Sequence, residues 1–179
     1  EKNINKLLEL TIEENIEDTE KIVIWPEVAL TYFLTEEPDV VEYLKTKIPK
    51  NTTIITGGLR REFNNESFKL FNSLYLINNE NLDFYDKKKL VPFGEFVPLR
   101  GFLKSFKLVP GTTDFSEGIK TNQMRIELEK EEILFEPSIC YEAIFQTFTK
   151  NNPSVLINIT NDAWFGKTIG PRQHLASQI

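Results

Sequence analysis

The sequence contains one cysteine and one histidine among 179 residues. A single cysteine excludes an internal disulfide, and one cysteine with one histidine is too few for a Cys/His zinc cluster. In a compartment outside the reducing cytosol, an unpaired thiol is more often a reactive group than a structural one. The sequence therefore predicts no metal site, and it makes Cys140 a candidate reactive group if the protein works outside the cytosol.

Dense basic segments and long apolar runs are also scarce. The net charge is −6, and the one stretch dense in lysine is 87–89, so we predict no nucleic-acid partner. No apolar run approaches the roughly 20 residues that cross a bilayer, and residues 1–3 do not open a signal peptide. We therefore expect this chain, as given, to be soluble.

What the sequence does contain is typical of a globular protein. Hydrophobic residues make up 40% of it and include fourteen Phe, which is far more than a disordered chain carries. A length of 179 residues suits one hydrophobic core, so we expect residues 1–179 to belong to a single domain.

The spacing of apolar residues predicts helices that alternate with strands. In chain order we predict a helix over 4–12, a buried strand over 22–25, a helix over 40–47, a short strand over 53–56 closed by Gly57 and Gly58, a hairpin over 67–85 with its loop at 78–81, strands over 124–129, 133–135 and 139–140, a helix over 143–150, a buried strand over 155–159 and a helix from 173 to 179. This alternation indicates an α/β protein.

Three reactive side chains, Glu27, Lys87 and Cys140, each come at or just after the end of a predicted strand. The edge of a sheet gathers such residues even when they are distant in sequence. Because cysteine attacks only as the thiolate, it needs a base or a cation nearby. We predict that Glu27 is the base, Lys87 stabilises an oxyanion and Cys140 holds an acyl group. On spacing alone, a structural role for Cys140 as a small buried side chain stays open.

Five short motifs follow one another along the chain: Trp25-Pro26-Glu27, Tyr85-Asp86-Lys87, the segment 90–98 (LVPFGEFVP), Cys140-Tyr141-Glu142 and the segment 161–166 (NDAWFG). With Gly170-Pro171 and Gln173-His174 after them, they resemble the signatures of the apolipoprotein N-acyltransferases, and the nine-residue match at 90–98 is the most specific. The resemblance implies the nitrilase, or carbon-nitrogen hydrolase, fold, a four-layer αββα sandwich with a Glu-Lys-Cys triad. It also implies that residues 1–179 are a partial domain, without the family's membrane-spanning region and without the rest of the domain at either end.

The same resemblance implies a function. Cys140 would take a fatty acyl chain from a phospholipid such as phosphatidylethanolamine as a thioester, and would pass it to the N-terminal amine of a diacylglyceryl-cysteine apolipoprotein without any cofactor. It also implies a bacterial inner-membrane enzyme whose catalytic domain faces the periplasm. Two alternatives share the motifs, a soluble amidase of the same superfamily and an inactive fragment that only binds.

Two further acidic residues, Glu95 and Glu142, correspond to positions that matter for activity in the family. Beside Lys87, a carboxylate would keep the ammonium protonated and aimed, and beside Glu27 it would raise the pKa of that carboxyl. The alternatives are structural: Glu95 capping a loop, and Glu142 opening the helix that follows Cys140.

Several aromatic and apolar residues are candidates for substrate contact. Next to the predicted site these are Tyr141, Trp164 and Phe165, and in the irregular loop 96–108 they are Phe96, Phe102, Leu103 and Phe106. A loop of this composition suits a lipid surface or a cover over an acyl chain. Packing in the core is the alternative for both sets. His174 also permits a Cys-His arrangement oriented by Asn161 or Asp162, but the motifs point to Glu27, and we assign His174 no catalytic role.

Overall fold

The computed structural model describes residues 2–13, 19–65, 67–97, 113–119, 123–145 and 153–177, apart from the side chains of Lys2, Glu13 and Trp164. The helices are α1 (Lys2–Glu13), α2 (Pro38–Lys47) and α3 (Gly170–Ala176), and the strands are β1 (Lys21–Ile24), β2 (Thr52–Asn64), β3 (Ser67–Ile77), β4 (Leu82–Asp86), β5 (Met124–Glu127), β6 (Glu132–Ile139) and β7 (Val155–Ile159). Short 3₁₀ helices follow β6 at Cys140–Ile144 and β7 at Asp162–Phe165. None of the described helices is both long enough and apolar enough to cross a bilayer.

The strands form two sheets of mixed direction. The first has the order β1-β2-β3-β4, with β1 parallel to β2 and the other pairs antiparallel. The second has the order β5-β6-β7, with β5 antiparallel and β7 parallel to β6. In the parallel pair of β6 and β7 the carboxyl ends, Ile139 and Ile159, lie side by side, which brings the residues that follow them together.

Both faces of the first sheet are covered. Helices α1 and α2 pack on one face through buried apolar residues, namely Ile4, Leu8, Val41 and Leu44 against Trp25, Leu30, Leu34, Ile54, Tyr75 and Ile77. The other face packs on the second sheet, with Ile55, Leu74, Leu76 and Tyr85 against Met124, Ile126, Phe135, Ile139, Ile157 and Ile159. Burying side chains of this kind stabilises by about 1.5–3 kcal/mol each. The described residues thus supply a helical layer and two sheet layers of the expected four-layer sandwich.

Strand β2 does not end at Gly57 and Gly58, so the predicted closure there is wrong. The strand continues to Asn64 and pairs with the whole of β3. A Cβ at Gly57 would lie 2.4 Å from the Val28 nitrogen and 2.5 Å from the Glu27 Cα. Glycine is needed here because the turn that carries Glu27 crosses directly over the strand.

The break that we predicted around Pro137 is also wrong, because β6 runs without interruption from Glu132 to Ile139. On one side Pro137 aligns with Ile157 of β7. On the other side β5 pairs with β6 only as far as Phe135, so the missing N–H of Pro137 interrupts no described ladder hydrogen bond there.

The two strands predicted to be buried are only partly so. Ile24 in β1 is 52% exposed and Leu156 in β7 is 64% exposed. Both strands are outermost in their sheets among the described residues, which explains the exposure of one face. Helix α3 begins at Gly170, earlier than predicted. Of the helix predicted over 143–150, the first residues belong to the 3₁₀ helix Cys140–Ile144, and 146–150 lie outside the described residues.

Candidate active site

Cys140 lies where β6 passes into a 3₁₀ helix, and its backbone φ is +52°. A non-glycine residue in the left-handed region costs on the order of 1–3 kcal/mol and persists where the surrounding structure imposes it. The thiol is half-buried. Burial raises its pKa, and so does the nearby charge of Glu27, whereas hydrogen bonds from the Thr160 side chain and the Tyr141 N–H and the charge of Lys87 oppose the rise. A thiol with a raised pKa needs a base to become a nucleophile.

Glu27 supplies a carboxylate that can act on this thiol. It follows β1 and is only 4% exposed. Its Oε1 accepts a hydrogen bond of 2.8 Å from Asn72 Nδ2, and its Oε2 accepts one of 3.0 Å from the Asn161 backbone N–H. Burial raises the pKa of Glu27, with Lys87, Asn72 and Asn161 lowering it and Glu95 raising it further. A raised carboxyl pKa suits a general base that works near neutral pH.

Lys87 follows β4 and is 1% exposed. Its Nζ lies 2.9 Å from Glu95 Oε1 and 3.9 Å from Glu27 Oε1. Its backbone is held on both sides, since the Lys87 N–H donates to the Asn72 carbonyl at 2.8 Å and the Lys87 carbonyl accepts from the Gly118 N–H at 2.9 Å. A buried cation between two carboxylates is compensated electrostatically and fixed in position.

Glu95 contacts the ammonium of Lys87 and also closes its own turn. Its Oε1 accepts from Lys87 Nζ and, at 3.1 Å, from Asn72 Nδ2. Its Oε2 accepts from the Val91 N–H at 2.9 Å. The geometry therefore combines the two interpretations that the sequence left open, an ion pair with Lys87 and a cap within the loop.

Glu142 is a buried carboxylate that joins the segment after Lys87 to the turn at Cys140. Its Oε1 accepts from the Tyr85 hydroxyl at 3.0 Å and from the Lys88 and Lys89 N–H groups at 2.7 and 2.9 Å. Its Oε2 accepts from the Ile139 N–H at 2.8 Å. Four donors compensate the burial of this charge, so Glu142 ties the backbone on either side of the site together.

Asn72 is a site residue that our sequence analysis missed. It is buried in β3, and its Nδ2 bridges Glu27 and Glu95. Its Oδ1 is buried and has no hydrogen-bond partner among the described residues. Asparagine is unfavourable in strands, so an Asn within the apolar run 70–77 was the available signal.

A second missed feature is a buried ion pair beside Lys87. Arg60 binds Asp86 through two parallel hydrogen bonds of 2.9 and 2.7 Å, and the Ser73 hydroxyl donates to the same carboxylate at 2.7 Å. Bidentate pairs of this kind fix geometry as well as charge. The contact joins β2, β3 and β4 at the residue that precedes Lys87.

The aromatic and apolar residues predicted to contact the substrate are only partly described by the structure. The Tyr141 ring packs edge-on against Phe145 at 5.1 Å, Phe165 is 40% exposed, and Phe96 is half-buried in a bridge to Pro92. The Trp164 side chain and residues Phe102, Leu103 and Phe106 lie outside the described residues. Contact of these groups with an acyl chain stays a prediction. The described segments contain no cluster of His, Cys, Asp and Glu that could hold a metal ion.

Comparison with known proteins places this arrangement in a family. Residues 1–178 match the family described as carbon-nitrogen hydrolase. The chain is 38% identical to an apolipoprotein N-acyltransferase of Rickettsia prowazekii (strain Madrid E), over 95% of this chain and 35% of that protein. It is 36% identical to one of Rhodopseudomonas palustris, over 86% of this chain and 30% of that protein. The chain thus spans about a third of the length of these curated relatives.

A solved structure supports the fold. A glutamine-dependent NAD(+) synthetase from Cytophaga hutchinsonii superposes with a TM-score of 0.50 at 15% identity, covering 89% of this chain and 27% of that one. At this identity the likeness concerns the fold, and with the family match it confirms the predicted nitrilase-type α/β architecture. With its two packed sheets and the residues gathered at their strand ends, this chain belongs to the carbon-nitrogen hydrolase family.

Proposed function

We propose that this chain is the catalytic part of an apolipoprotein N-acyltransferase in which Cys140 carries a fatty acyl group as a thioester. The observation that carries the proposal is that Glu27 and Lys87, from the ends of two other strands, are both buried with Lys87 Nζ 3.9 Å from Glu27 Oε1, and that both charges shift the pKa of the Cys140 thiol. Relatives with 33–38% identity over most of the chain bear the name of this activity. The shared core between the two sheets supports treating residues 1–179 as one catalytic unit.

In the first half-reaction, Glu27 takes the thiol proton as Cys140 Sγ attacks the carbonyl carbon of a phospholipid ester. Lys87 and the Tyr141 N–H both lower the pKa of the Cys140 thiol in the resting site. During the reaction they stabilise the oxyanion of the tetrahedral intermediate. The carbon–oxygen bond then breaks, and Glu27 returns the proton to the departing lysophospholipid oxygen. The thioester remains on Cys140.

In the second half-reaction, the N-terminal amine of a diacylglyceryl-cysteine apolipoprotein attacks the thioester carbon. Glu27 accepts a proton from the amine, the carbon–sulfur bond breaks, and the thiol is restored with that proton. The acyl donor, the acceptor and a periplasm-facing place at the bacterial inner membrane belong to the proposal. They follow from the resemblance and from the names of the relatives.

A direct comparison of substrates tests this function against the amidase alternative. We expect the full-length protein in detergent to release lysophospholipid from phosphatidylethanolamine and to acylate a diacylglyceryl-cysteine peptide, with no ammonia from simple amides. Mass spectrometry of the lipids and an ammonia assay measure the two outcomes. Ammonia release from small amides without any lysophospholipid would identify an amidase instead. The absence of both products would indicate a protein that only binds.

The pH dependence of the reaction tests the role of Glu27 through Asn72. A base must be deprotonated to act, so activity should rise as the pH passes upward through the pKa of Glu27. The hydrogen bond from Asn72 lowers that pKa, so Asn72→Ala should move the acidic limb of the kcat/KM profile to higher pH by about one unit. Asn72→Asp, which adds a negative charge beside Glu27, should move it further.

A matched control for these variants is Thr52→Val in β2. Thr52 is as buried as Asn72, and its hydroxyl has no hydrogen-bond partner among the described residues. The kcat/KM profile of Thr52→Val should therefore coincide with that of the wild type. An unchanged acidic limb in both Asn72 variants would show that Asn72 does not act on the base.

A further inference from the structure

The segment 160–162, directly after β7, contacts Glu27 and His174 and lies beside Cys140. The Asn161 N–H donates to Glu27 Oε2, and the Thr160 side chain is close enough to the Cys140 thiol to lower its pKa. Asp162 Oδ1 accepts from the Thr160 hydroxyl at 3.3 Å and lies 2.8 Å from His174 Nδ1. The mechanism above uses neither Thr160, Asp162 nor His174.

Strand register places Thr160 beside Cys140. In the parallel pair of β6 and β7, Ile139 aligns with Ile159. Cys140 and Thr160 are the next residues, so they leave adjacent strands at the same edge of the sheet. A second bond holds this edge together, because Asn158 Nδ2 donates to the Cys140 carbonyl at 3.2 Å.

The chain's one histidine, His174, contacts Thr160 indirectly, through Asp162. His174 lies on α3, is 9% exposed, and has its ring 6.0 Å from that of Phe165. A buried imidazole beside a carboxylate holds that carboxylate in one orientation. Hydrogen bonds therefore connect His174 through Asp162 to Thr160, which the strand register places beside Cys140.

We propose that Thr160, oriented by Asp162 and His174, is a positioning residue that holds the Cys140 sulfur by a hydrogen bond. The hydroxyl has one hydrogen. While the sulfur is a thiol, its proton faces Glu27 and the Thr160 hydroxyl donates to Asp162. When Glu27 removes the thiol proton, the hydroxyl turns its hydrogen to the thiolate, and His174 remains the partner of Asp162.

The reactivity of Cys140 toward iodoacetamide tests this inference without any lipid substrate. The rate of alkylation follows the thiolate fraction, and the charged groups that face the thiol in the described residues are Glu27 and Lys87. In the full-length protein, mass spectrometry of the peptide that contains Cys140 measures the rate as a function of pH. The inference extends the proposed function, but this readout requires only a titrating thiol and stays valid if the acyltransferase proposal fails.

We expect Thr160→Val to move the midpoint of the alkylation profile up by about one pH unit, the order expected for one lost hydrogen bond to a charged group. Thr160→Ser keeps the hydroxyl and should restore the profile. Thr168→Val is the matched control, because the Thr168 hydroxyl donates to the Phe165 carbonyl in the same region and should leave the profile unchanged.

The route through Asp162 is tested by a double-mutant cycle. Asp162→Ala should change the midpoint in the wild type but have no further effect in the Thr160→Val background, because it acts through that hydroxyl. If Thr160→Val does not fold, as judged by circular dichroism, Thr160→Ala replaces it as the variant without a hydroxyl. A midpoint that is the same with and without the Thr160 hydroxyl overturns the proposal.

Discussion

Cys140→Ala in the full-length protein is expected to abolish acyl-enzyme formation and to lower turnover by at least on the order of 10⁴-fold, as loss of a nucleophile does. Alanine removes the one sulfur that can form the thioester and adds no new group at a backbone position that is already strained at φ +52°. Burial raises the thiol pKa, so in the proposed mechanism Glu27 is needed to generate the thiolate. Intact mass spectrometry after incubation with phosphatidylethanolamine measures the acyl adduct.

Two observations make this result specific. Hydroxylamine should remove the adduct from the wild-type protein, because it cleaves thioesters. Cys140→Ser, with a less acidic hydroxyl at the same place, should also form no adduct that hydroxylamine releases. Labelled acyl groups that stay bound to Cys140→Ala would place the acyl chain on another residue.

Lys87→Met is expected to lower turnover by about 10²–10³-fold, the usual loss for one oxyanion-stabilising donor. Methionine has nearly the length of lysine and fits a site where Lys87 is 1% exposed. The substitution also removes the cation that lowers the pKa of Glu27. The acidic limb of the activity profile should therefore move to higher pH in whatever activity remains. Steady-state kinetics of acyl transfer from pH 5 to pH 9 measure both effects.

Lys89→Met is the matched control, because Lys89 belongs to the same run of lysines but its side chain is exposed. Its kinetics should resemble those of the wild type. Removing a buried cation also leaves carboxylates uncompensated, so thermal unfolding must show that Lys87→Met is folded. Wild-type turnover in folded Lys87→Met would remove Lys87 from the mechanism.

Local patterns predicted the elements that carry the site. The apolar run 22–25 predicted a strand before Glu27, and β1 occupies Lys21–Ile24. The run 155–159 predicted β7 with the bounds that the structure has. These strands can be predicted because apolar and β-branched side chains within a few residues are typical of a strand. The same patterns misread Gly57, whose role depends on the turn that crosses it.

Polar partners brought together from distant parts of the chain could not be predicted in this way. Asn72 contacts Glu27 across 45 residues, and Glu142 contacts Lys88 across 54. Nothing within a short window indicates such a pairing, because the partner is chosen by strand order and register. Thr160 is similar, since its place beside Cys140 follows from the alignment of β6 with β7.

The amino-acid order alone determined that this protein has α/β elements, which reactive side chains follow its strands, and which family its motifs resemble. Those properties are local, because they depend on side-chain chemistry and on spacing within a few residues. The tertiary structure decided how the groups meet: Lys87 lies nearer to Glu95 than to Glu27, and Asn72 bridges both carboxylates. Distances and the pKa directions that follow from them depend on burial and on neighbours from other strands, and these exist only once the two sheets have packed together.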